Sequence, residues 1–98
     1  MIRHVVCFKL KEGASAQEAK EMLISMRGRE DTALSVEVGI DELHSPRSYD
    51  FILIVTLADF DALARYQTQG YHAGVVKPYM HAVTQQERSV AVDYIVDD

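Results

Sequence analysis

A phenol and an imidazole six residues apart, Tyr66 and His72, stand on either side of Gly70 in the run Tyr-Gln-Thr-Gln-Gly-Tyr-His. A neutral imidazole titrates near neutrality and can take a proton α to a carbonyl. A phenol can hydrogen-bond the enolate oxygen that results. A second imidazole, His4, sits in the N-terminal apolar run. The chemical reading makes His72 a general base, Tyr66 its oxyanion partner and His4 a group that orients one of them. The same residues have structural readings: His72 as a helix-terminal residue favoured by the dipole, Tyr66 as inner-face core, His4 as a core histidine bonded to a neighbouring strand or helix. The sequence leaves both open.

Other chemistry is thinly represented. His44 and His81 fall in predicted loops, and four scattered histidines lack metal-ligand spacing, so no metal is expected. The single cysteine, Cys7, permits no internal disulfide and reads as packing. No Ser-His-Asp pattern, phosphate-binding glycine loop or nucleotide fingerprint is present, and no cofactor is implied. A net charge of −5 with dispersed basic residues argues against nucleic acid. No run approaches the ~20 apolar residues of a membrane helix, and the N-terminus has no signal-peptide pattern. A cytoplasmic protein without membrane contact is expected. With 98 residues, 48% of them hydrophobic, the chain is expected to form one domain over residues 1–98 with a real core.

The elements that must position these groups follow from periodicity. Ile2, His4, Val6, Phe8 and Leu10 alternate with Arg3, Val5, Cys7 and Lys9, predicting a strand. Ser15 and Glu18 form a capping-box pattern, and Ala16, Ala19, Met22, Leu23 and Met26 keep helical spacing to about Arg27. Alternation returns over residues 33–40 and, after the Ser45-Pro46 turn, over 49–57. In the latter, Tyr49, Phe51, Leu53, Val55 and Leu57 face one way, Ile52 and Ile54 the other. Asp59 caps a second helix carrying Phe60, Leu63, Ala64 and Tyr66, and Gly70 ends it. A short helix or turn over 72–77 is limited by Pro78. Residues 86–96 read as a last strand, with Val90, Val92, Tyr94 and Val96 opposed to Ala91, Asp93 and Ile95.

The order β-α-β-β-α-β predicts a ferredoxin-like α+β domain: one four-stranded antiparallel sheet with two helices on one face. The first and third strands are central and apolar on both sides. The face without helices, carrying Val5, Cys7, Ile52, Ile54 and Ile95, would then be an exposed apolar patch. A two-fold homodimer packed sheet on sheet covers it.

Four segments also carry a family likeness: His4-Val5-Val6-Cys7-Phe8-Lys9-Leu10-Lys11, Tyr49-Asp50-Phe51 with Val55-Thr56-Leu57, Tyr66-Gln67 before His72, and Val92-Asp93-Tyr94. As a set they resemble the stress-responsive dimeric α/β-barrel domain family, often called Dabb. The resemblance implies a ferredoxin-like layer dimerised through its sheet and an association with stress response. Some members are similar to plant polyketide cyclases, which close a poly-β-keto chain by an aldol step without a cofactor. The resemblance places the cyclases' helix Tyr at Tyr66, the following His at His72 and the first-strand His at His4. Their third-strand His is replaced by Phe51. Two functions follow: a homodimer that binds a small apolar or aromatic carbonyl ligand without catalysis, or a cofactor-independent cyclase-like enzyme using His72, Tyr66 and His4. Phe8, Tyr49, Phe51, Leu53, Val92 and Tyr94 are the expected ligand-lining residues, and equally the expected core. A cofactor-free oxygenase of the related dimeric barrels has no residue signature in the chain.

Overall fold

The computed structural model describes residues 1–97. Its elements run β1 (Ile2–Phe8), α1 (Ala16–Ile24), β2 (Ala33–Ile40), β3 (Phe51–Leu57), α2 (Phe60–Thr68), a π-helical turn (His72–Val76), α3 (Lys77–Val83), a 3-10 turn (Gln86–Arg88) and β4 (Val90–Ile95). The four strands form one antiparallel sheet in the order β2-β3-β1-β4. This is the ferredoxin-like arrangement that the alternating runs predict. Among the described residues no helix is long and apolar enough to cross a membrane.

Register decides which side chains share a face. His4 pairs with Val55 on one side and with Asp93 on the other, and Val6 pairs with Leu53. These residues, with Ile2, Phe51 and Leu57, face the helices, because directly opposed residues in a sheet point the same way. Leu53, Val55 and Leu57 are fully buried there. Each such side chain contributes roughly 1.5–3 kcal/mol through area removed from water. A slip of one residue would turn this whole set to the open face, which is why the register is firmly held.

The helices lock down by local chemistry. Ser15 Oγ accepts from the Glu18 N–H at 3.1 Å, so the predicted cap forms, and α1 buries Ala19 and Leu23. Asp59 Oδ1 accepts from the Ala62 N–H at 2.8 Å, and α2 turns Ala62, Leu63 and Tyr66 inward. Gly70 then adopts φ +73°, a left-handed conformation that glycine tolerates without penalty. An added Cβ there would also lie 3.3 Å from Glu30 Oε1.

Three expectations need correction. Pro78 does not stop the helix: it is the second residue of α3, which follows the π-helical turn directly, and helix continues to Val83. The last strand begins at Val90, since residues 86–88 coil into the 3-10 turn. The faces of β4 are the reverse of those expected. Val5 pairs with Val92, Arg3 with Tyr94 and Ile2 with Ile95. Val92 and Tyr94 therefore lie on the open sheet face, while Ile95 lies on the helix side. No helix covers β4, so Val92, Tyr94 and Ile95 remain 62%, 41% and 68% exposed. The apolar stripe of the open face consists of Val5, Cys7, Ile52 and Ile54, extended by Val90 and Val92.

Candidate functional site

Between the sheet and the helical segment 60–83 lies a cavity of about 470 Å³ with an open mouth. This is within the roughly 300–1,000 Å³ typical of small-molecule sites. Val6, Phe8, Leu23, Leu53 and Met80 supply an apolar floor. His4 and His72 face it, and Gln67, Thr68, Lys77, His81, Gln86 and Ser89 form a polar rim.

The three residues that the sequence marks out for chemistry are brought together. The rings of Tyr66 and His72 stack at 3.9 Å with 12° between planes, and His4 meets Tyr66 edge-on at 5.8 Å. The placement follows from the local chain. Tyr66 projects inward from the last turn of α2, and the left-handed Gly70 turns the backbone so that His72 folds back over it. Two hydrogen bonds fix that return. The His72 N–H donates to Glu30 Oε1 at 2.8 Å, and His72 Nδ1 meets the Tyr66 carbonyl oxygen at 2.9 Å.

These contacts set the tautomers. A carbonyl oxygen only accepts, so His72 Nδ1 carries the proton and Nε2 holds the lone pair. His4 Nδ1 lies 2.5 Å from Asp93 Oδ1. The carboxylate accepts, and His4 Nε2 is likewise the basic nitrogen. Neither Nε2 has a hydrogen-bond partner among the described residues, and neither is sealed from solvent. His4 thus bonds to a neighbouring strand, as its structural reading has it, and it orients neither Tyr66 nor His72 through a hydrogen bond.

Electrostatics keep the pair neutral. Burial lowers the His72 pKa below the ordinary imidazole value, against the opposing pull of the Tyr66 carbonyl and the Glu30 charge. Burial, with the Glu30 charge added, raises the Tyr66 phenol well above its usual range. Its hydroxyl is a donor at any physiological pH, yet it is the one buried side-chain polar atom without a partner among the described residues. Glu30 is the anchor beneath. Burial raises its pKa, but hydrogen bonds from the Thr32 hydroxyl and from the His72 and Thr32 N–H groups outweigh this and leave it lowered. Glu30 is therefore an anion at neutral pH.

The other expected ligand-lining residues divide. Phe8 and Leu53 line the cavity. Phe51 lies one ring behind its wall, stacked on Phe8 at 4.9 Å and buried in the core. Tyr49 sits before β3 beside the Lys9 ammonium, 5.3 Å from its ring centroid, and does not reach the cavity. Val92 and Tyr94 are on the opposite side of the sheet. Among the described residues no cluster of three His, Cys, Asp or Glu side chains could hold a metal ion.

A family model described as the stress responsive A/B barrel domain matches residues 2–96. The chain belongs to that family, Dabb. A Dabb family protein with a ferredoxin-like fold from Mesorhizobium loti is 25% identical with a TM-score of 0.69, over 99% of this chain and 97% of that one. A dimeric ferredoxin-like protein of unknown function from Bacteroides fragilis is 19% identical at a TM-score of 0.72, over 95% and 93% of the two chains. An antibiotic biosynthesis monooxygenase is also 19% identical, at a TM-score of 0.73 over 100% of both. The last two likenesses show the fold alone. No curated protein sequence matches this Dabb chain.

Two residues of the site escape a reading by periodicity. Alternation alone places Asp93 on the face away from His4, and the signal that points to it is a lone carboxylate in an otherwise apolar edge strand. Glu30 sits in the charged run Arg29-Glu30-Asp31 that looks like a solvated helix end. Only the fold shows that its neighbours point out while it points in.

Proposed function

We propose that this Dabb protein is a homodimer whose cavity binds a small, largely apolar carbonyl compound and moves a proton at the carbon beside the carbonyl. The observation that carries the reading is the pair of imidazoles on one apolar cavity, each with Nδ1 held as a donor so that Nε2 presents its lone pair. His72 is the base. Its lowered pKa keeps it unprotonated, and the apolar floor seats the ligand's hydrocarbon body. His4, held through Nδ1 by Asp93, is the second group that receives or returns a proton. Tyr66, whose hydroxyl has no partner among the described residues, hydrogen-bonds the enolate oxygen as the stacked His72 ring shifts aside.

The dimer forms through the open sheet face. Val5, Cys7, Ile52 and Ile54 with Val90 and Val92 make an apolar stripe that a monomer would leave in water, and solved relatives of the same fold are described as dimeric. The sealed Tyr66 hydroxyl favours a second reading, binding without turnover, in which the stacked rings are a wall and nothing more.

The test is α-proton exchange in D₂O, followed by NMR, for a panel of small aryl ketones and β-keto compounds. Wild type accelerates exchange of at least one compound, His72→Gln abolishes the acceleration, and Asp93→Asn reduces it. Compounds that bind yet exchange at the buffer rate would establish the second reading and remove the first.

A further inference from the structure

Charge around the cavity is one-sided in a way the net composition conceals. The chain carries a net charge of −5, yet no carboxylate lines the cavity among the described residues. Two acids behind its wall are already engaged: Asp93 is bonded to His4 Nδ1, and Glu30 is enclosed by Thr32 and the His72 N–H. The cationic side chains at the rim are Lys77 and, when protonated, His81.

Lys77 is held in place. Its Nζ donates to the Gln67 carbonyl at 3.1 Å, in the last turn of α2, where a cation also meets the negative end of the helix. An ammonium has three donors, so two remain for a ligand. Holding the head group at the mouth removes much of the side-chain freedom that a free lysine loses on binding. Below it the floor of Val6, Phe8, Leu53 and Met80 offers nothing polar. A molecule matching both parts has an apolar body and one anionic end.

We propose that the ligand of this cavity is an amphipathic carboxylate, its hydrocarbon or aryl body on the apolar floor and its carboxylate on Lys77. The inference rests on the binding part of the function proposed above and adds the chemical class of the ligand. It does not depend on whether His72 turns the ligand over.

The experiment compares 4-butylbenzoate with 4-butylbenzamide, matched in shape and differing in charge, by calorimetric titration of the full chain. Wild type binds the carboxylate about tenfold or more tightly than the amide, as a hydrogen bond to a charged group contributes. Lys77→Met removes that preference while amide affinity stays within about twofold, and Lys77→Arg restores most of it. Raising the salt weakens the carboxylate alone. Equal affinity for the two compounds in wild type, or a preference that survives Lys77→Met, overturns the inference and leaves the pocket standing. If neither compound binds, the pocket reading and this inference both fall.

Discussion

Replacing Tyr66 by phenylalanine should make the protein more stable, an unusual expectation for a fully buried residue. The ring carries the packing: it stacks on His72 at 3.9 Å and meets His4 edge-on at 5.8 Å, and phenylalanine keeps both contacts. The hydroxyl carries none, being buried without a partner among the described residues. Leaving a buried polar group unpaired costs roughly 1–3 kcal/mol. Deleting it should return about 1 kcal/mol, a rise of roughly 4–8 °C in Tm for a chain of this size. Tyr66→Leu is the control. It loses the aromatic contacts and leaves space, so it should cost about 2–4 kcal/mol. Urea and thermal unfolding by circular dichroism measure all three proteins, and α-proton exchange is measured alongside. A more stable Tyr66→Phe that exchanges protons more slowly identifies a hydroxyl retained for function at the expense of stability. A loss of more than about 1 kcal/mol in that variant would show that the hydroxyl has a partner in solution, and the reasoning from its unmade hydrogen bond would be wrong.

Lowering the pH should weaken the fold through His72, whose folded pKa is depressed: its contribution is complete above about pH 6.5, the unfolded value, and is lost as pH falls through the folded one. Urea midpoints from pH 7.5 to 5 should show this slope, and His72→Gln should flatten it. Glu30 is also lowered in the fold, so its contribution is present above its unfolded value near 4.5 and lost as pH falls through the folded value. Glu30→Gln should therefore cost about 1–3 kcal/mol at pH 7 and nothing extra once both forms are neutral, read from the same midpoints. Ile54→Asp places a charge in the apolar stripe of the open face and should give a monomer in sedimentation velocity, with secondary structure unchanged; a persistent dimer would place the interface elsewhere.

What the sequence disclosed depended on how strongly burial separates the two sides of an element. In β3 both sides are apolar, yet the side with Leu53 and Val55 is sealed while Ile52 and Ile54 are half-buried, so alternation still marks the inner face. In β4 neither side is sealed. Val90, Val92 and Tyr94 look as buried in pattern as Ala91 and Ile95, and the more aromatic set is the one that pattern turns inward. The pairing of β4 with β1 decided otherwise and brought Asp93 to His4. Tyr66, Gly70 and His72 were legible because a helix end is written in local chemistry. Their dependence on Glu30, forty-two residues before His72 in the chain, was not. Lys77 was hidden by Pro78, which suggested that the helix had ended where in fact its next turn begins.

The π-helical turn has a consequence for how this pocket tolerates change. Such a turn holds one more residue than an α-helical turn, and here it separates His72 from Met80 and His81 on the same wall. Gly74, within it, is exposed and has open space where a Cβ would be. Substituting that position alters little. Deleting it would bring the stretch before Lys77 toward ordinary α-helical register, with the bond that Pro78 cannot donate still unmade. The residues before the deletion would then turn by about 100° relative to those after it. His72 would then leave the cavity wall. The wall is thus indifferent to composition at its middle and intolerant of any change in length there.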